Sequence, residues 1–434
     1  MSTQRLVESS TQEKSREMDF QDDWERKKTW LCFFVLGCIN NIAYVVVISG
    51  AKRLATNDFD NSKSLIGVIN WALVGLGLAA RATNMFMETW SARLRTSITS
   101  CVNLIGIAIL TLSPQLGSFW IAISAIVLIG SACSFGESVI LGYLKVFPQR
   151  YTSAWSSGTG LAGVAGSLYY LGLSSASLSD PLIFATMLVL IPIYWLAFIS
   201  IRDPSEYGFE SLEQSSRRRS TLFEMADNAS ASLSYEDNDD DNVGAVDKET
   251  SKIEKESICS RLIRCMGYVV CFGTHLAAVY FFEYVISVGF AAAAEGSSDK
   301  TNDSSDYWIR NSYQIFSFCY QFGVFISRSS LSIVQFESVW PLTLIQAGNF
   351  VLFLFQVLNP GSFMPLWIQF VAMVFVGLLG GAMYVNVFAL VMKDTRIPSK
   401  DMEFSINIVC IFINLGVVCA SIFDIIMNHT FVQA

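Results

Sequence analysis

Long apolar blocks, bounded by charge or by clusters of Gly, Pro and Asn, recur along the whole chain. A bilayer core needs about 20 mostly apolar residues per helix. Eleven runs fit that requirement: Trp30–Gly50, Leu65–Ala80, Ser97–Ser113, Phe119–Leu144, Trp155–Leu173, Pro181–Ile201, Met266–Phe290, Ile309–Ser327, Ser338–Leu358, Leu366–Met392 and Ser405–Met427. The second and third are the shortest. The pattern predicts an all-α membrane protein, a bundle of about 11 transmembrane helices.

One interruption is unlike the others. Residues 203 to 256 are rich in Ser, Asp, Glu and Asn and carry the run Tyr235-Glu236-Asp237-Asn238-Asp239-Asp240-Asp241. Such a segment cannot bury enough apolar surface to offset the entropy of folding, so a disordered tether is expected. The predicted organisation is a polar tail (1–29), a first bundle of six helices (30–201), an acidic linker (202–260), a second bundle of five (261–427) and a short tail (428–434). Two helical halves on one tether resemble the layout of a secondary transporter.

Composition supports the membrane class: 52% of residues are hydrophobic, 15% are charged and the mean hydropathy is +0.44, against about 25% charged in a soluble domain. The net charge of -8 changes little, because residues 203 to 256 alone hold 15 acidic and 6 basic residues. The remainder is nearly balanced, which leaves no basic face for nucleic acid. The Lys and Arg residues carry more information. With the N-terminus placed in the cytosol, 24 of the 29 fall in cytosolic segments and 5 (Lys52, Arg53, Lys63, Lys300, Arg310) on the other face. This follows the positive-inside rule and makes the linker cytosolic. Asn302, in an Asn-Asp-Ser sequon, then lies in a non-cytosolic loop, where glycosylation is expected.

Ten cysteines are scattered without a CxxC pair or a metal-ligand spacing, and two histidines exclude a His cluster. No HExxH, GxSxG or nucleotide-loop motif is present, so neither an enzyme nor a cofactor is expected. The glycine-rich Trp155–Gly166 stretch lacks the Lys of a P-loop and instead repeats small residues at four-residue spacing, favouring close helix contact in lipid.

An ionisable side chain deep in a bilayer costs on the order of 3 kcal/mol on insertion scales and is a functional candidate by default. Glu137, His275, Glu283 and Asp424 qualify. His275 and Glu283 are separated by about 80° around their helix, so both could face one cavity. Solute or proton coordination is one reading of these groups; a buried structural role is the other. Asn40, Asn41 and Tyr44 form a polar stripe on the first span, Tyr384 and Asn386 lie on the tenth, and Ser156, Ser157 and Thr159 carry hydroxyls on the fifth; contact with a polar solute or with a neighbouring helix would satisfy each. A faint repeat relates Tyr44–Gly50 to Tyr284–Gly289, and both halves place an arginine, Arg81 and Arg328, at the cytosolic end of their second span.

The runs Asn40–Val46, Trp155–Gly160, Glu283-Tyr284, Tyr320–Leu331 (which includes Gln321) and Gly380–Asn386 together resemble the battenin family, and the likeness covers residues 30 to 427 in order. That resemblance implies a protein of the lysosomal or vacuolar membrane, distantly related to the major facilitator superfamily. The family is implicated in export of glycerophosphodiesters, in basic amino-acid transport and in organelle pH control. It further implies a central cavity lined by the first, fourth, seventh and tenth spans, and a cytosolic gate at Arg81 and Arg328. The expected partners are the lipid bilayer, a small polar solute and protons. Eleven spans are one fewer than that superfamily has, and the C-terminal tail lacks a prenylation box. The rival expectation is a non-transporting scaffold that regulates trafficking or pH through its linker.

Overall fold

The computed structural model describes residues 2–54, 66–201, 258–291, 308, 312–359 and 364–427, all of them in helices and the turns that join them, with no strand. Residues 202–257 of the predicted linker, Asn302 and the C-terminal tail lie outside the described residues, while 258–260 open the helix that follows. In chain order the helices are α1 Ser2–Arg53, α2 Ile66–Gly75, α3 Gly77–Phe86, α4 Ala92–Leu112, α5 Phe119–Leu144, α6 Gln149–Ser175, α7 Asp180–Thr186, α8 Leu190–Ile199, α9 Ile258–Tyr284, α10 Ser312–Ser329, α11 Trp340–Leu358, α12 Leu366–Lys393 and α13 Ser399–Met427.

Each apolar run is helical, and eight helical stretches among the described residues are long and apolar enough to cross a membrane. The second run is split: Leu76 interrupts it, leaving α2 and α3 as two short helices. The fifth run, α6, is rich in Gly, Ser and Ala, and the eighth, α10, carries Tyr, Gln and Ser, so both fall below the apolarity of their neighbours while remaining helical. The sixth combines α7 and α8 through a 3₁₀ turn at Met187–Val189, and the seventh continues α9 into a π-helical turn at Val285–Phe290.

Helix starts follow local chemistry. The Ser91 hydroxyl accepts from the Leu94 amide at 3.3 Å and caps α4. Pro148 and Pro365 occupy the caps of α6 and α12, where a missing N–H costs nothing. Along α6, glycines set the packing distance. A methyl group at Gly158 would overlap the Phe34 carbonyl of α1, and one at Gly160 would press on the Phe325 backbone of α10. Gly377 of α12 meets the Tyr320 carbonyl of α10 in the same way. Backbones that approach this closely gain dispersion contacts which lipid tails cannot match.

The core is not uniform along the bundle. At the end flanked by Ile201 and Ile258, here the linker end, one cluster unites both halves: Phe33, Trp155 and Tyr151 from the first pack with Phe388, Val409 and Val269 from the second. Toward the far end the apolar residues separate into one cluster drawn from residues 43–191 and another from residues 285–420. The halves are therefore fused at one end and packed independently at the other.

Replacing Gly158 by Val is expected to force α1 and α6 apart and to cost about 2 kcal/mol or more. A lowered thermal midpoint of the detergent-purified protein would show it; an unchanged midpoint would rule out this close crossing.

Candidate functional site

Where the two halves meet at mid-bundle, α3 and α5 bring together Arg81 and Glu137, 3% and 8% exposed. An Arg81 Nη2 donates to Glu137 Oε2 at 2.5 Å, while Arg81 Nε donates to Asn414 Oδ1 of α13 at 3.1 Å. Glu137 Oε1 accepts from the Tyr384 hydroxyl of α12 at 2.6 Å. The ion pair belongs to the first half, and its remaining bonds reach into the second.

Arg328 of α10 mirrors this arrangement from the other side. Its Nη1 donates to Thr159 Oγ1 of α6 at 2.8 Å, its Nη2 donates to Tyr280 Oη at 3.2 Å, and its guanidinium lies 4.2 Å from the centre of the Tyr384 ring. The chemistry differs in one respect. Among the described residues no carboxylate forms an ion pair with Arg328, and its Nε has no partner.

Both arginines line one cavity of about 100 Å³, with Asn41, Tyr44, Cys133 and Ser134 on the first-half wall and Tyr280, Tyr284 and Asn414 on the second. At roughly 30 Å³ per water it holds about three, and it is smaller than the few hundred Å³ usual for an organic ligand. Its ionisable lining is Arg81, Glu137 and Arg328, for a net charge of +1 with both arginines and the glutamate ionised. The break between α2 and α3 adjoins it: Leu73, Val74 and Gly130 form part of the wall, and Gly77 abuts Ser134 and Asn414.

The faint sequence repeat has a spatial counterpart. Tyr44 and Tyr284, the leading residues of the two matched segments, both line the cavity, one from each half. α3 packs on α13 and α10 packs on α6, so the second span of each half lies against the fifth of the other. Residues related by a pseudo-two-fold axis and lying near it meet each other in this manner.

The remaining candidates divide between the cavity and its supports. Asn41 and Tyr44 face the cavity, whereas Asn40 donates to the Cys133 carbonyl at 3.1 Å and accepts from Tyr194 at 3.3 Å, a helix-to-helix tie. The Ser157 and Ser329 hydroxyls are 2.7 Å apart, joining α6 to α10, and the buried Ser156 Oγ has no partner among the described residues. Gln321 packs against Gly163. Asn386 accepts from the Phe336 amide at 2.7 Å and holds the turn before α11. Glu283, 2% exposed, receives the Tyr320 hydroxyl at 3.3 Å, and its other oxygen is unpartnered among the described residues. Asp424 adjoins Gly289 in the π-helical turn.

Three expectations need correction. His275 bonds to Thr343 of α11 at 3.0 Å, away from Glu283, so the two do not share a cavity; α9 is packed on several sides, and 80° suffices to point them at different neighbours. The tenth span does not line the cavity, although its Tyr384 backs Arg328; α2, α3, α10 and α13 complete the wall in its place. Arg81 and Arg328, expected at a cytosolic gate, lie in the cavity wall: Arg81 because α3 runs on to Phe86 and leaves it in mid-helix, Arg328 because its long side chain reaches inward from the end of α10.

Sequence reasoning passed over Tyr280, Asn414 and the ion-pair partners of the linker end. Helical spacing could have found part of this set, since Glu403, Asn407 and Asn414 recur at four and seven residues along one face of α13.

Glu137→Gln should destabilise the protein by about 3–5 kcal/mol, because it leaves Arg81 buried without its acid. A double-mutant cycle with Arg81→Gln, followed by thermal unfolding, should give a combined cost well below the sum of the two singles. Additive costs would mean that the pair is not coupled.

A sequence model of the CLN3 protein family matches residues 31–434. The battenin of Dictyostelium discoideum is 37% identical over 418 residues, covering 95% of this chain and 97% of that protein. The battenin of Canis lupus familiaris is 28% identical over 450 residues, covering 96% and 94%, and the protein btn-1 of Neurospora crassa is 26% identical over 421 residues, covering 92% and 87%. With a family match over nearly its whole length and apolar helices throughout, the chain is a multi-pass membrane protein of the CLN3, or battenin, family.

Proposed function

We propose that this protein is a transporter of the lysosomal or vacuolar membrane that moves a small anionic or zwitterionic solute by alternating access, with Arg328 as its anion anchor. The single observation that carries this reading is the state of Arg328: a cation in the wall of a mid-bundle cavity that, among the described residues, bonds only to neutral groups and has Nε unpartnered. Such a charge is costly until an anion meets it, and a planar guanidinium suits a phosphate or carboxylate group.

The charge balance chooses between the solutes that the resemblance suggests. Arg81 is already paired with Glu137, so the lining keeps one positive charge in excess. A glycerophosphodiester brings the single negative phosphate that balances it, whereas a basic amino acid adds a like charge. Tyrosine hydroxyls and amides of Asn41 and Asn414 offer partners to the polar remainder of such a solute. The discontinuous α2–α3 helix beside the cavity and the reciprocal packing of the halves fit a facilitator-like architecture. In this reading the second bundle rocks against the first, and Glu283, with one free oxygen, is the proton-binding group. The N-terminus and the linker face the cytosol in accord with the distribution of Lys and Arg.

Purified protein in proteoliposomes, loaded with a radiolabelled glycerophosphodiester or with lysine, tests the proposal. Arg328→Gln should weaken glycerophosphodiester transport by about 10- to 100-fold, the value of one charge-assisted contact pair. Glu283→Gln should abolish any dependence on a pH gradient, and removal of residues 210–250 should leave transport largely intact. Transport of lysine alone would overturn the anion reading, and the scaffold alternative requires the opposite pattern: no transport by the intact protein, and loss of organelle pH control when the linker is cut.

A further inference from the structure

The linker end of the bundle carries a second, denser set of charges that the cavity does not use. Glu403, at the start of α13 and 5% exposed, accepts from Arg95 of α4 at 2.6 Å and from Lys145, just beyond α5, at 2.9 Å. One α13 carboxylate thus holds two cations of the first half. Two residues earlier, Asp401 receives Arg261 at 3.0 Å and Arg264 at 2.9 Å, and Arg261 reaches back across the boundary to Glu88 at 2.8 Å. Just inside this layer, the Asn84 amide donates to Asn407 at 3.1 Å, again from first half to second.

Three observations argue that this network does more than stabilise the fold. First, it lies at the fused end of the bundle, where both halves share one apolar core, while the far end has separate cores. Second, it is confined to one seam. The related seam, between α10 and α6, closes at the same end with no ion pair among the described residues, through Ser157 with Ser329 and Arg328 with Thr159. Third, it is imperfectly satisfied. Arg95 Nε, Asn407 Nδ2 and Asn414 Nδ2 are buried without partners among the described residues. A buried ionic cluster with orphaned donors is a poor stabiliser compared with apolar packing of similar volume. It suits a contact that must break and re-form.

The geometry points to a charged latch, with Glu403 as its central residue, that holds the cavity closed toward the linker end; its release opens the route by which solute leaves. This inference rests on the alternating-access reading above. It requires no particular solute, so the two can fail separately. Once α13 parts from α3 and α4, Arg95 loses Glu403 and keeps only its bond to Asn84, which in turn loses Asn407.

Two native cysteines report the state of the latch. Cys133 lines the cavity and Cys259 is exposed at the start of α9. Sealed membrane vesicles carrying the full chain would be treated from outside with a membrane-impermeant thiol reagent, and labelling of each cysteine read by mass spectrometry. Labelling of Cys259 establishes that the linker end faces outward. Glu403→Gln is expected to raise the ratio of Cys133 to Cys259 labelling by about fivefold, as a modest shift in a two-state population would. The exchanged pair Arg95→Glu with Glu403→Arg, in which Lys145 also finds an acid, should return the ratio to the parental value. Lys145→Gln, at a partly exposed position, should raise it less and carries the test if Glu403→Gln does not fold. An unchanged ratio in every single variant overturns the latch. An elevated ratio that the exchanged pair fails to restore also overturns it, since the effect would then come from general loosening.

Discussion

The structure depends on one buried contact, the ion pair of Arg81 and Glu137, whose spare bonding capacity is spent on the opposite half of the molecule. An ion pair in a bilayer is tolerable only when nearly every donor and acceptor is engaged. Here the first half supplies both charges, but Tyr384 and Asn414 of the second half bond Glu137 Oε1 and Arg81 Nε, leaving Arg81 Nη1 without a partner among the described residues. Neither half can therefore satisfy its polar groups alone. The cavity is where that mutual requirement concentrates, and its polar walls follow from the same bonds.

Much of this was legible in the chain. Apolar runs bounded by charge marked the helices from Trp30 onward among the described residues, since lipid leaves no other way to satisfy a spanning backbone, whereas the helical stretch before Trp30 lies in the predicted polar tail. Small residues on α6 announced the close crossings that Gly158 and Gly160 make. The repeat beginning at Tyr44 and Tyr284, weak as sequence, marked two residues that line one cavity from opposite halves. Glu137, the costliest acid to leave unexplained, proved to be central.

What the chain concealed concerns direction and distance. Helical spacing puts His275 and Glu283 within a quarter turn of each other, yet it cannot say which neighbours occupy that quarter. Thr343 takes one and Tyr320 the other. Arg328 does lie at the end of its helix, but Arg81 sits in the middle of α3, which runs on to Phe86 beyond the apolar run, and both side chains meet the cavity. The latch was hidden for a different reason. Arg95, Lys145, Arg261 and Arg264 read as ordinary positive-inside charge, and only tertiary contact distinguishes a cation that faces lipid headgroups from one that grips Glu403 or Asp401.

The halves are similar in framework and unequal in charge, and that inequality carries the functional argument. Where the first half sets Glu137 against its arginine, Arg328 meets the ring of Tyr384 and two neutral hydroxyls, Tyr280 of its own half and Thr159 of the other. A fully paired site would gain nothing from a solute, because any anion would compete with a carboxylate already in place. A site with two unpaired arginines would bind an anion too firmly to release it and would cost more to bury. One paired and one unpaired arginine leaves a single charge to be met, which matches binding that must be reversible. The same inequality recurs at the linker end, where one seam is held by ions and the other by hydroxyls, so the two seams resist opening by different amounts. In the transporter reading proposed above, this inequality at a few positions would give the two halves a preferred route without any change in the fold.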